Sequence, residues 1–271
     1  MRLTALSFVT ICLGGSAMAA TVTLNAIDWG NYSSTGAHNA ASWSYVAGNC
    51  ASTVCPASGV YRDFFVFNLN PLAAIQGIDI TDATLTLINP SSNLKDPLHP
   101  FNGGYQSPNM SVSGNAGQPA DTFSIFDVTS SIAAVRRTQA AGLTGAGIYN
   151  DLGTGTSYGS GLLTKNLNMT GQNSLSMFFN QDGVAALNGA LDPFATSLFA
   201  VGGAFLDLPA FRTQANQYVF QGTWKGDVPT LLVTYQVDAP AGVPEPGTLA
   251  LAGFALLVAG SVRLRKRYSN S

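Results

Sequence analysis

The two histidines, His38 and His99, each sit in a loop rich in Gly, Asn and Pro, and neither belongs to a His-x-x-x-His or His-Glu pattern. They nominate no zinc-protease centre and no paired acid–base site. Serines are plentiful, yet no Gly-x-Ser-x-Gly elbow follows an apolar strand, and Gly159-Ser-Gly161 reads as a loop. A nucleophilic Ser on a strand-to-helix turn is therefore not expected. Glycoside hydrolysis needs two carboxyl groups, which would have to come from the scattered Asp63, Asp79, Asp82, Asp127 and Asp151. These flank strands or turns, where Asp commonly caps backbone groups. No spaced ligand run for calcium is present, and Asn150–Gly159, though Gly-rich, lacks the Lys and the following helix of a phosphate loop. The expectation is a chain that is not an enzyme and needs no metal or cofactor.

Binding chemistry is better represented. Trp29, Tyr32, Trp43 and Tyr45 cluster among Gly, Ser and Asn residues, and aromatic faces of this kind stack on sugar rings while amides and hydroxyls bond the sugar hydroxyls; the competing role for such rings is the core. Thr21-Val-Thr23 and Thr84-Leu-Thr86 place hydroxyls at alternate positions, the spacing of one strand face. Cys50 and Cys55 are separated by four residues in a loop of small residues. In an oxidising compartment they are expected to form a disulfide, and so small a ring pins a local turn rather than the fold.

The elements that must position these residues are mostly strands. In Tyr61–Leu69, Phe65, Phe67 and Leu69 alternate onto one face; in Ala83–Ile88, Ala83, Leu85 and Leu87 face in while Thr84 and Thr86 face out. Further strands are predicted at Thr21–Ile27, Thr122–Phe126, Gly147–Tyr149, Leu175–Phe179, Leu198–Phe205, Gln217–Gln221 and Leu231–Val237, with helices at Ser130–Ala141 and Gly183–Leu191. With 46% apolar residues, only 10% charged, and Glu245 the sole Glu, the chain has core material but few exposed helix formers. The predicted class is all-β, an antiparallel β-sandwich of jelly-roll type over residues 20–237. Arg62-Asp-Phe-Phe-Val-Phe-Asn-Leu69 followed by Ile80-Thr-Asp-Ala-Thr-Leu-Thr-Leu87 resembles a strand pair of secreted jelly-roll modules related to carbohydrate-binding domains, a resemblance that implies binding rather than catalysis.

Both ends differ from this body. Arg2, the apolar run Leu3–Leu13 and Ala17-Met18-Ala19 have the order of a secretory signal peptide over residues 1–19, handed to the general secretion machinery and cut by signal peptidase. Residues 238–242 form a linker, Val243-Pro244-Glu245-Pro246 follows, Gly247–Val262 is apolar and uncharged, and Arg263, Arg265, Lys266 and Arg267 close the chain. The prolines hold the peptide extended. The apolar stretch is expected to enter the inner membrane as a short transmembrane helix over 247–262, with the basic stop of the 263–271 tail kept cytoplasmic. With these cations set apart, the body is acidic, which argues against nucleic acid as a partner.

This tripartite arrangement resembles the PEP-CTERM protein-sorting domain. The resemblance implies recognition of Pro244, Glu245 and Pro246 by an exosortase, a membrane-embedded protease-transpeptidase of Gram-negative bacteria that make extracellular polysaccharide. The leading expectation is therefore an exported envelope or matrix protein, anchored transiently in the inner membrane with a periplasmic ectodomain before reaching the cell surface, structural or associated with extracellular polysaccharide. A second reading is a secreted polysaccharide-degrading enzyme using an Asp pair. A third is an ice- or surface-binding protein carried by the two Thr-x-Thr pairs.

Overall fold

The computed structural model describes residues 19–42, 45–50, 58–88, 120–164, 174–191, 197–206, 217–219, 228–237, 251 and 253–255. The chain divides into two units, Ala19–Gln236 and a second made of Met1–Met18 with Val237–Ser271. In the first unit the described elements are β1 (Ala20–Ser33), β2 (Ala47–Cys50), β3 (Gly59–Asn68), α1 (Asn70–Ala73), β4 (Ile78–Ile88), β5 (Ala120–Phe126), α2 (Ile132–Val135), α3 (Leu143–Asp151), β6 (Ser157–Thr164), β7 (Ser174–Phe178), α4 (Gln181–Ala190), β8 (Leu198–Phe205), β9 (Gln217–Val219) and β10 (Thr230–Val237). It is mostly antiparallel sheet, as the alternation predicted.

Neighbouring strands follow the order β6-β5-β8-β3-β1-β10-β4-β7, with β2 and β9 paired beside β3. The long first strand joins the two halves. Its start pairs with β10 from Ala20↔Tyr235 to Asn25↔Thr230, and its end pairs with β3 from Ala26↔Phe67 to Ser33↔Tyr61. The register shifts between Ala26 and Asp28, where an irregularity of this kind lets a strand bend out of one ladder into the next. The outermost strands of the order also meet: the Asn180 amide donates to the Tyr158 carbonyl at 2.7 Å, and a Cβ on Gly161 would stand 2.7 Å from Leu175 Cδ1. The glycines that suggested a loop at Gly159-Ser-Gly161 instead lie within β6, opposite Ile125 and Phe123 of β5, because only a residue without a side chain lets β7 come this close.

Phe65, Phe67 and Leu69 face the main core, together with Leu85, Leu87, Met177, Val201 and Val233. The opposite face of β3 is buried as well: Phe64 and Val66 pack with Tyr32, Val135, Ile148 and Leu152, under the layer made by α2 and α3. Each fully buried Phe contributes about 1.5–3 kcal/mol.

Two of the predicted elements also take another form. Gly147–Tyr149, predicted as a strand, is helical within α3; Ile148 and Tyr149 gain burial against β3, and tertiary contact outweighs the weak strand preference of so short a run. The helix predicted over Ser130–Ala141 is confined to Ile132–Val135. Ser131 starts it, its hydroxyl accepting from the Ala134 amide, and soon after its end Gln139 exchanges two backbone hydrogen bonds with His38. The helix α4 starts at the cap Asn180, whose side chain accepts from the Gly183 amide at 3.0 Å, and Asp182 complements its first turn.

Candidate functional site

The residues expected to carry sorting, Pro244, Glu245, Pro246, Arg263, Arg265, Lys266 and Arg267, lie outside the described residues. Within Gly247–Val262, Leu251 and residues 253–255 are described and helical, and Leu251 and Phe254 are exposed. Among the described residues no helix is long and apolar enough to cross a membrane. The backbone of Cys50 pairs with Gly59 at the end of β2; its side chain, Cys55 and hence the expected disulfide fall outside the described residues, as do Trp43 and His99.

Three of the four aromatic residues proposed for glycan contact are interior, which corrects that expectation. Trp29 is 8% exposed, and Tyr32 and Tyr45 are fully buried. Their rings offer no open face because burial of a large aromatic returns more free energy than exposure does, and the hydroxyls find partners inside. Tyr45 donates to the Ile88 carbonyl at 2.8 Å and accepts from the Ile88 amide at 3.1 Å. Tyr32 donates to the Val135 carbonyl at 3.0 Å, tying β1 to the end of α2, and burial pushes its hydroxyl up to about 12.

His38 is buried among aromatic rings. The His38 ring stacks on Tyr32, centroids 4.7 Å apart, and meets Phe64 edge-on at 5.2 Å. Its Nδ1 lies 3.0 Å from the Asn31 carbonyl oxygen; since a carbonyl only accepts, Nδ1 donates and Nε2 is left as a buried acceptor. Burial lowers the imidazole below 6.5, against the raising pull of the Asn31 carbonyl and Asp28.

Asp63, fully buried on β3, has neither carboxyl oxygen in hydrogen-bond geometry. Burial raises it well above 3.8 despite an opposing pull from the Val46 backbone N–H. Asp127 accepts from the Thr156 amide at 2.8 Å.

The open groove beside α3, about 590 Å³, is lined by Thr129, Ser130, Thr144, Asp151 and Thr154 among others. Its one carboxylate, Asp151, accepts from the Thr129 hydroxyl at 2.6 Å and from the Ser130 amide at 2.8 Å. Partial burial pushes Asp151 up, but the bonds from Thr129 and Ser130 outweigh it and hold the carboxyl below its usual value. Asn150–Gly159 runs from the end of α3 through a turn into β6. Among the described residues no three His, Cys, Asp or Glu side chains group as a metal site.

The two Thr-x-Thr pairs come together. Both lie in the half-sheet β1-β10-β4-β7, with Thr21 and Thr23 exposed and Thr84 and Thr86 half-buried on the side away from the core. Thr23 pairs with Leu232, Thr21 with Thr234, Thr84 with Phe178 and Thr86 with Ser176. The Thr86 and Ser176 hydroxyls are 3.0 Å apart, and the Phe178 ring is 69% exposed. Phe178 escaped the sequence reading because Leu175–Phe179 presented it only as one member of a strand.

Residues 242–267 match the protein family described as the PEP-CTERM protein-sorting motif. No curated protein matches the chain.

Proposed function

We propose that this chain, which carries a PEP-CTERM sorting motif at residues 242–267, is an exported protein whose β unit serves at the cell surface or in the extracellular matrix as a structural, glycan-associating module without catalytic turnover. The observation that carries the reading is the coincidence of that match with Pro244-Glu245-Pro246, the uncharged Gly247–Val262 and the cations Arg263–Arg267. The motif implies export and processing by an exosortase. In this reading residues 1–19 are removed as a signal peptide, 247–262 enter the inner membrane as a helix and the cations stay in the cytoplasm. The two half-sheets that share β1 act as the faces of a jelly-roll-like sandwich. Asp127 and Asp151, two of the five carboxylates that a hydrolase would draw on, are engaged with backbone amides, in keeping with a module without turnover.

Mass spectrometry of the protein recovered from a host with an active exosortase tests the assignment. Loss of the segment that follows the Pro-Glu-Pro region is the expected result; a mature chain still ending at Ser271 would refute it.

A further inference from the structure

We infer that the outward face of β1-β10-β4-β7 is a docking surface for a neutral polysaccharide, with the Phe178 ring as its stacking platform and the surrounding Thr and Ser hydroxyls as its hydrogen-bonding groups. The inference rests on the glycan-associating reading above and assigns the surface that performs it.

The chemistry of the face selects the occupant. Alternation turns Thr21, Thr23 and Asn25 outward from β1, Leu232, Thr234 and Gln236 from β10, Thr84 and Thr86 from β4, and Ser174, Ser176 and Phe178 from β7. Hydroxyls and amides of this kind both donate and accept, as sugar hydroxyls do. The only charges on this face among the described residues are Asp79 and Asp82, toward the start of β4. The three cations among the described residues, Arg62, Arg136 and Arg137, lie elsewhere: Arg62 bonds the end of α3 and Arg136 pairs with Asp28. With no cation among its described residues, the face offers nothing there to neutralise phosphate, anionic lipid or a uronic-acid polymer. Its apolar side chains among the described residues, Phe178 at 69%, Ile27 at 46% and Leu232 at 42% exposure with Ile88 half-buried, are separate and set among hydroxyl and amide neighbours, which makes the face too polar for the apolar centre of a stable dimer.

What remains is a ligand that is itself uncharged, bears many hydroxyls and presents an apolar C–H face to an aromatic ring. A pyranose chain has all three properties. Phe178 stands beside Thr84 across the ladder, and the Thr86–Ser176 pair occupies the next outward position, so one sugar ring seated on the phenyl has hydroxyl partners beside it.

The test is co-sedimentation of the full chain with insoluble cellulose, chitin and mannan, and affinity electrophoresis in soluble alginate as the charged arm. The expected result is retention by at least one neutral polymer and none by alginate. Phe178→Ala should weaken retention roughly 3–10-fold, the loss of one stacking contact. Thr86→Lys should weaken it too, while Leu143→Ala, at a side chain 94% exposed on α3, leaves it unchanged; circular dichroism verifies that each variant is folded. Retention of the parent chain that neither Phe178→Ala nor Thr86→Lys diminishes would overturn the assignment of this face while leaving glycan association standing. Failure to bind any neutral polymer, or a preference for alginate, would overturn both. Thermal hysteresis without polymer binding would make the face an ice-binding surface and overturn the inference equally.

Discussion

Arg62 and Tyr149 are joined twice: the guanidinium carbon stands 4.4 Å from the Tyr149 ring centroid, and Nη1 donates to the Tyr149 carbonyl at 3.0 Å. The same nitrogen donates to the Asn150 carbonyl at 2.9 Å. A strand residue thereby caps the last carbonyls of α3 from outside the helix, where a cation also complements the helix dipole.

Replacing this planar donor by a point charge should therefore weaken the seat of α3. Arg62→Lys is expected to cost about 1–2 kcal/mol and Arg62→Met about 2–3 kcal/mol, from the lost cation–π contact and charge-assisted bonds. Urea titrations followed by near-UV circular dichroism measure both; equal stability of all three proteins would mean the contact contributes nothing.

His38 sets one arm of the pH dependence. Its folded value is lowered by burial, so over the window from 6.5 down to that lowered value the unfolded chain binds a proton that the fold excludes. Stability is present above 6.5 and is lost as pH falls through the window. In His38→Gln this slope should vanish, with an offset of about 1 kcal/mol at pH 8 from the missing ring stacking. An unchanged slope between pH 7 and 5 would assign the titration to another group.

Asp63 acts in the opposite sense. Its carboxyl is raised well above 3.8, so the fold keeps a proton that the unfolded chain releases. Its contribution is fully present below 3.8 and is lost as pH rises toward the raised value. Asp63→Asn should be more stable than the parent at pH 7 by roughly 1–3 kcal/mol, the range for an unsatisfied buried polar group. The advantage should shrink toward pH 3; a variant weaker at every pH would show that the carboxylate is held by a partner.

Sorting should depend on the Pro-Glu-Pro triplet more than on the apolar stretch behind it. Glu245→Ala, or Pro244→Ala with Pro246→Ala, is expected to leave the precursor uncut in the membrane fraction, whereas a conservative Leu251→Ile is processed normally. Immunoblots of fractionated cells distinguish the outcomes, and normal cleavage of the triplet variants would exclude Pro-Glu-Pro as the recognition element.

The legible parts of the sequence were those whose signal is local. Alternation located most of the strands because one face of each meets the core, and the inward residues Phe65, Phe67, Leu85 and Leu87 are all in it. The sorting motif was legible for the same reason, since three adjoining segments carry it. By contrast, Phe64 and Val66 gave no hint of the helical layer above them, because apolar residues on the second face of a strand do not say what covers it. The burial of Trp29, Tyr32 and Tyr45 was one of two local options, and only tertiary packing decides between core and surface for an aromatic ring. Likewise the Thr pairs at 21–23 and 84–86 were visible, but their common face depends on β10 joining strands far apart in the chain. No short window contains that relation.

The pairing of Ala20 with Tyr235 also sets an order of events for a chain threaded outward from its start. The opening strand emerges first, yet its partner along residues 20–25 is among the last parts of the unit to appear. One ladder edge must wait, unzipped, until nearly the whole unit has crossed, and it needs protection from pairing with another molecule during that interval.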